Sequence, residues 1–165
     1  DCNLDMIISD VATMHDLNAV GKKNNKKINV HLKIDTGLSR LGIFPSEFKM
    51  FMDELDLMSH LKLQGICSHL IEACNPESVH AQEEILKPFY QPGLQFHTSN
   101  SHGSLVTKNK YSFVRIGAGL YGYLPEADEK LQNLLHPILS LKTKVIAVKT
   151  IPAGATVGYA RTYTA

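Results

Sequence analysis

Short apolar runs alternate with helix-period stretches along most of the chain. MIISD (6–10), INVHLKID (28–35), LQGICSHL (63–70), LQFHTSN (94–100) and YSFVRIG (111–117) predict buried strands. Each is mostly apolar and ends in polar residues or glycine. Between them lie amphipathic segments. In PSEFKMFMDELDLM the residues Phe48, Phe51 or Met52, Leu55 and Met58 recur at helical spacing, with Pro45 near the first turn. NPESVHAQEEILKPFY opens with an Asn75 cap and Pro76 at the first helical position, and Val79, Leu86 and Phe89 then share a face. Alternating β and α units predict a parallel sheet, but periodicity alone does not choose between a β/α barrel and an open doubly wound sheet. After LYGYLPEADEKLQNLLHP the texture changes. Leu139, Leu141, Thr143, Val145 and Ala147 alternate, and Pro152 and Gly154 mark a turn. That is antiparallel β sequence, so the expected division is 1–130 and 131–165.

Composition narrows the class only modestly. The chain has 165 residues, 44% hydrophobic and 20% charged, which is ordinary globular composition. Net charge is +1, and GKKNNKK (21–27), the one dense basic run, reads as a solvated loop, so neither nucleic acid nor a membrane surface is indicated as a partner. Cys2, Cys67 and Cys74 make an odd number without a CxxC pair, as expected of a reducing compartment. No apolar run reaches the roughly 20 residues of a membrane span. There is no initial Met and ARTYTA ends in strand-like sequence, so the chain reads as a fragment.

The polar signatures fall at the carboxyl ends of the predicted strands. KIDTGLSRLG (33–42) ends a strand with Lys33 and aims Arg40 back across a turn made of Asp35, Thr36, Gly37 and Ser39. HTSNSHG (97–103) can present hydroxyl and backbone N–H groups to an anion, or simply cap a helix. VRIGAGLYG (114–122) puts Arg115 in a strand and follows it with glycines, without a dinucleotide fingerprint. A buried arginine there is either an ion-pair partner or a ligand contact. The histidines lack zinc spacing, so no metal is expected. No nucleophile elbow surrounds Ser101 or Ser104. Strand-end carboxylate pairs are also missing, and turn capping accounts for Asp35.

Taken together and in order, HLKIDTGLSRLG, GICSHL followed by NPES, HTSNS, VRIGAGLYGYLP and LKTKVIAVKTIPAGATVGYARTYTA resemble the alanine racemases. These are pyridoxal-phosphate (PLP) enzymes with a β/α barrel followed by a β domain. The resemblance implies an internal portion of such a protein: the later part of a TIM-type (β/α)8 barrel, about five strands, then the start of an all-β C-terminal domain. It implies interconversion of L- and D-alanine by two-base proton transfer, in a cytoplasmic homodimer whose sites are shared between subunits, supplying D-alanine for peptidoglycan.

The same resemblance assigns roles. Ser101 and the backbone N–H groups of Gly117 and Ala118 would hold the cofactor phosphate. Arg115 would donate to the pyridine nitrogen, being too weak an acid to give up its proton, which should suppress competing PLP reactions. His97 would buttress Arg115, His69 would lie against the cofactor ring and Asn100 would support them. Arg40 would bind the phenolic oxygen and the substrate carboxylate. Lys33 would stand beside it, and two cations about 4 Å apart repel by roughly 4 kcal/mol at an effective dielectric near 20. In the family this lysine is commonly carbamylated, which turns the repulsion into an anchoring pair.

Tyr159, otherwise an unremarked strand residue, would be one catalytic base, acting from the partner subunit. The Schiff-base lysine belongs to an early-strand segment with no counterpart in this sequence, so the chain by itself is expected to be inactive. Two alternatives stand: a broad-specificity racemase of the same fold, and a non-catalytic PLP-binding or structural barrel protein. The antiparallel C-terminal sequence argues against a non-catalytic PLP-binding protein and leaves the structural reading open.

Overall fold

A computed structural model of the chain describes residues 4–124 and 129–165. Cys2 and part of the segment where the sequence changes texture lie outside the described residues. Four strands form one parallel sheet: β1 (Met6–Ile8), β2 (Ile28–Lys33), β3 (Leu61–Cys67) and β4 (Gln95–His97). Their spatial order is β1-β2-β3-β4, so every crossover advances the sheet in the same direction. A doubly wound sheet reverses its order at a switch point. Uniform progression is the way a barrel is built, and these four strands accord with part of one.

Three helices connect the strands. α1 (Val11–Lys23) starts at Asp10, whose carboxylate accepts the Thr13 N–H at 2.7 Å and is thereby held below the usual carboxylate range. It extends through Gly21, Lys22 and Lys23, so the first part of the expected basic loop is the last turn of a helix, where cations suit the macrodipole. A single 3-10 turn (Pro45–Glu47) leads into α2 (Phe48–Asp56), and α3 (Pro76–Leu86) begins as the sequence predicts. The Asn75 side chain accepts from the backbone of Glu77 and Ser78 at 3.0 and 3.3 Å.

The two faces of the sheet differ in chemistry. Ile8, Val30, Leu32, Ile66 and Phe96 are buried in one apolar cluster with Met14 of α1 and Phe51 and Leu55 of α2. Each such side chain contributes roughly 1.5–3 kcal/mol on burial. Alternation then assigns His31, Lys33, Cys67 and His97 to the opposite face, and all four are buried. The register slips between Val30 and His31: Val30 pairs with Leu63, whereas His31 pairs with Gly65. One residue of β3, Gln64, is therefore extra, a β-bulge.

Two expected strands take another form. Residues 111–117 run beside β4, with Ser112 N–H donating to the Phe96 carbonyl and Arg115 N–H to that of Ser99, but they form no regular ladder. The Phe96 N–H goes to Ser112 Oγ at 2.8 Å instead of to a backbone carbonyl, which interrupts the pairing. A short α4 (Gly103–Val106) precedes this segment, and α5 (Glu129–Asn133) follows it.

The alternating segment from Leu139 to Val148 is unpaired and exposed, with Leu141 and Ile146 almost fully so. An antiparallel strand needs a neighbour to take its N–H groups, and the described chain supplies none there. Among the described residues only β5 (Thr156–Val157) and β6 (Tyr163–Thr164) pair antiparallel.

Because Leu32 is wholly buried between α1, α2 and its neighbouring strands, Leu32→Ala should destabilise the fold by about 2–5 kcal/mol. A urea unfolding midpoint displaced to lower concentration with an unchanged slope is the expected result.

Candidate functional site

β2 ends in a loop that closes on itself. Asp35 Oδ1 accepts the N–H groups of Gly37 and Ser39 at 2.8 and 3.2 Å, the turn capping read from the sequence. The loop returns at Ile43, whose carbonyl accepts the Asp35 N–H at 2.8 Å. Gly42 makes this return possible: its φ is +128°, and a Cβ there would fall 2.7 Å from the Asp35 nitrogen. Arg40 is exposed on this loop, and its charge acts on both Lys33 and His69.

Lys33 is buried, and burial lowers its pKa, with Arg40 and Arg115 adding to the effect. Cys67 is its cross-strand neighbour, but burial pushes that thiol up to about 11. At neutral pH it therefore offers Lys33 no countercharge.

Arg115 organises the centre of the site. Its Nη1 donates to the His97 carbonyl at 3.0 Å and to His97 Nδ1. Its Nη2 donates to the carbonyls of Ser68 and Thr98 at 2.5 and 3.3 Å and lies 3.5 Å from His69 Nδ1. Neutral acceptors thus satisfy the guanidinium, and it remains a cation even though burial lowers its pKa. The acceptor His97 must then be neutral, and its environment agrees: burial first, then Arg115, then His31 push it down to about 3. His69 is pushed down to about 4, by burial and then by Arg115, Arg40 and Lys33.

The sequence did not point to the next link. His97 Nε2 lies 2.9 Å from His31 Nδ1, and His31 Nε2 lies 3.4 Å from Asp5 Oδ2. An arginine can only donate and an ionised aspartate can only accept, so every proton in the chain is assigned. Arg115 donates to His97 Nδ1, His97 Nε2–H to His31 Nδ1, and His31 Nε2–H to Asp5. Asn29 Nδ2 also donates to Asp5, at 3.0 Å, and holds the acceptor end.

His31 and His97 stand on strands two apart, about 10 Å between backbones. They meet because β3 presents Gly65 between them. A Cβ at Gly65 would lie 2.6 Å from His31 Nδ1 and 2.5 Å from the Gln95 carbonyl oxygen. Phe113 stacks on His97, with ring centroids 4.2 Å apart, and covers the contact.

A cleft of about 340 Å³ opens beside Arg115, lined by His69, Asn100, Ser101, Gly117 and Ala118 among others. Ser101 Oγ accepts the N–H groups of Gly117 and Gly119 at 2.8 and 3.2 Å. The amide pair converging on Ser101 is therefore 117 and 119, while Ala118 lines the same cleft. With both lone pairs engaged, the Ser101 hydroxyl is left to donate its proton outward, which suits an anion. The Asn100 amide braces the wall, accepting the Gly103 N–H at 2.9 Å and donating to the Leu70 carbonyl at 3.4 Å. Of the sequence-derived candidates, Lys33, His69, His97, Asn100, Ser101, Arg115, Gly117 and Ala118 gather around this strand end. Tyr159 does not; it is fully exposed on the turn between β5 and β6.

Two outcomes follow from this geometry. Gly65→Ala should break the His31–His97 bond, costing about 1–3 kcal/mol and shifting the ring-nitrogen resonances of both histidines. For pH, His97 and His69 hold their neutral forms in the fold at about 3 and about 4, against an ordinary 6.5. As pH falls below about 6.5, the unfolded chain takes up protons that the fold refuses, so stability declines until those lower values are passed. The urea midpoint should therefore be lower at pH 5 than at pH 7, with a shallower dependence in His97→Gln.

The chain is similar to proteins of known family. Residues 1–125 match the family model for the alanine racemase N-terminal domain. The alanine racemase of Methylacidiphilum infernorum is 36% identical over 168 residues, covering 98% of this chain and 42% of that protein. The alanine racemase structure from Streptomyces coelicolor A3(2) superposes with a TM-score of 0.82 at 27% identity, covering 98% of this chain and 46% of that one. That from Clostridium difficile 630 gives 0.77, also at 27% identity, over 98% and 45%. The chain spans less than half the length of these relatives. A parallel sheet progressing in one direction, a strand-end arginine on neutral histidines and these similarities lead to one assignment: the chain belongs to the alanine racemase family.

Proposed function

We propose that this chain is part of a PLP-dependent alanine racemase that interconverts L- and D-alanine. The observation that carries the proposal is the pairing, in one cleft, of an outward-donating serine with a guanidinium held on neutral acceptors. PLP has an anionic end and a flat ring bearing a basic nitrogen. The residues present fit both ends, and glycines at 117 and 119 keep the cradle open: a Cβ at Gly117 would stand 4.0 Å from Ser101 Oγ. When bound, the cofactor supplies the electron sink that makes the alanine Cα–H acidic.

The chain's own residues bind and orient. Ser101 and Ala118 take the phosphate, and the Gly117 and Gly119 amides fix the serine, so Gly117 acts through Ser101 rather than by its own N–H. His69 lies against the ring, Asn100 supports the wall, and His97 holds Arg115 so that a hydrogen bond reaches the ring nitrogen without transfer of a proton. Arg40 receives the substrate carboxylate. Lys33, buried beside cations, is the residue that gains most from carbamylation, which would replace repulsion of Arg40 by attraction. Tyr159 holds or takes the Cα proton on one face of the substrate, from the partner subunit of a homodimer; its full exposure is in keeping with a role outside its own chain. Residues beyond about 130 begin the β domain, in line with the change from parallel to antiparallel pairing.

We place the intact enzyme in the cytoplasm, supplying D-alanine for peptidoglycan. Among the described residues no helix is long and apolar enough to cross a membrane.

Titration of the chain with PLP, followed by cofactor fluorescence, tests this. Saturable binding is expected, weakened about tenfold by Ser101→Ala and by Arg115→Leu, each of which removes a bond to a charged or strongly polar group. No racemisation of L-alanine by the chain alone is expected, because the resemblance places the Schiff-base lysine outside these 165 residues. Binding indifferent to both substitutions would sink the proposal, and turnover by this chain alone would overturn its expected inactivity.

A further inference from the structure

Gln82 is a polar residue in the middle of α3, yet only 3% of it is exposed. A buried side-chain amide costs a few kcal/mol unless its groups are matched. Here they are matched by the strand ends of the site and not by the helix. Gln82 Nε2 donates to Thr36 Oγ1 at 2.6 Å, on the loop after β2, and to the His69 carbonyl at 3.0 Å, on the loop after β3. Its Oε1 accepts the Ile71 N–H at 2.9 Å. Thr36 Oγ1 in turn shares a 2.9 Å bond with Ser68 Oγ. The peptide groups on both sides of Leu70, directly after His69, are thus tied to one side chain. The same stretch carries the Ser68 carbonyl and the His69 ring that face Arg115 Nη2.

We propose that Gln82 is the positioning residue of this site: its amide clamps the loops after β2 and β3 together and so presents the Ser68 carbonyl and the His69 ring to Arg115. Both donor hydrogens are used, in two directions, together with one acceptor. Neither a hydroxyl nor a carboxylate of similar size can reproduce that set. Any effect on catalysis rests on the racemase reading, whereas the clamp itself does not.

The test compares the wild-type chain with Gln82→Leu and Gln82→Glu by amide hydrogen exchange and by histidine ring NMR, both without cofactor. PLP affinity is measured in parallel. In Gln82→Leu, exchange at Ile71 should rise about tenfold relative to the amides of β2 and β3, as expected for loss of a buried bond. The His69 ring, now freer of burial and of the charges of Arg115, Arg40 and Lys33 that face it, should titrate closer to its ordinary 6.5 while His97 stays where it was. PLP should bind about fivefold more weakly.

Gln82→Glu keeps an oxygen for Ile71 but loses both donors, so Ile71 should stay protected while the His69 titration moves; this variant decides the matter if the leucine variant does not fold. Unchanged Ile71 and His69 signals in a folded Gln82→Leu chain would overturn the proposal. So would a uniform rise in exchange across the sheet, the mark of a merely structural role. A wild-type chain that binds no PLP would count against the racemase reading, while exchange and ring titration still judge the clamp.

Discussion

The site is organised by a directional constraint, the inability of Arg115 to accept a hydrogen bond or surrender its proton. From that one property the tautomers of two buried histidines follow, and the line of donors ends at Asp5 on the opposite edge of the sheet. Gly65 lets the line cross β3, and Phe113 shields it from water. A protonated His97 would turn an N–H toward Arg115 in place of its ring acceptor, so the same geometry that fixes the arginine also keeps the ring neutral. The arrangement suits a cofactor nitrogen that should receive a hydrogen bond but not a proton.

Around this line the charges are unbalanced. Arg40 and Arg115 act on Lys33, all three act on His69, and Asp35, the acid at the end of β2, spends one oxygen on two backbone N–H groups of its own turn. Such a surplus of positive charge at a strand end is unfavourable until an anion arrives. The proposed ligands supply anions: a phosphate, a phenolate and a carboxylate. The electrostatic cost of gathering these cations is therefore aligned with the proposed use of the cleft.

Much of this was legible from the sequence where local chemistry decides. The Asn75–Pro76 start of α3, the Asp35 turn and four of the five expected strands depend on residues within a few positions of one another. Features set by partners distant in sequence were not legible. His31 looks like one more residue in an apolar strand, and its meaning depends on His97, 66 positions later, and on a glycine in the strand between them. Gln82 reads as an ordinary polar helix residue until α3 is seen to turn it inward. The 111–117 segment has strand composition, but a serine side chain takes the place of a backbone acceptor. Residues 139–148 have the pattern of a strand and no neighbour in the described chain to complete one.

The extra residue at Gln64 has a consequence for how such a strand is to be compared between relatives. Before it, the odd positions Leu61 and Leu63 pair level with the core-facing residues of β2; after it, the even position Ile66 does, and Gly65 and Cys67 pass to the polar face. The strand carries two phases joined at a single residue. An alignment that smooths over that residue would exchange inside for outside in everything downstream. The bulge is thus a frame marker: the two halves of β3 follow opposite phases of the inside–outside alternation.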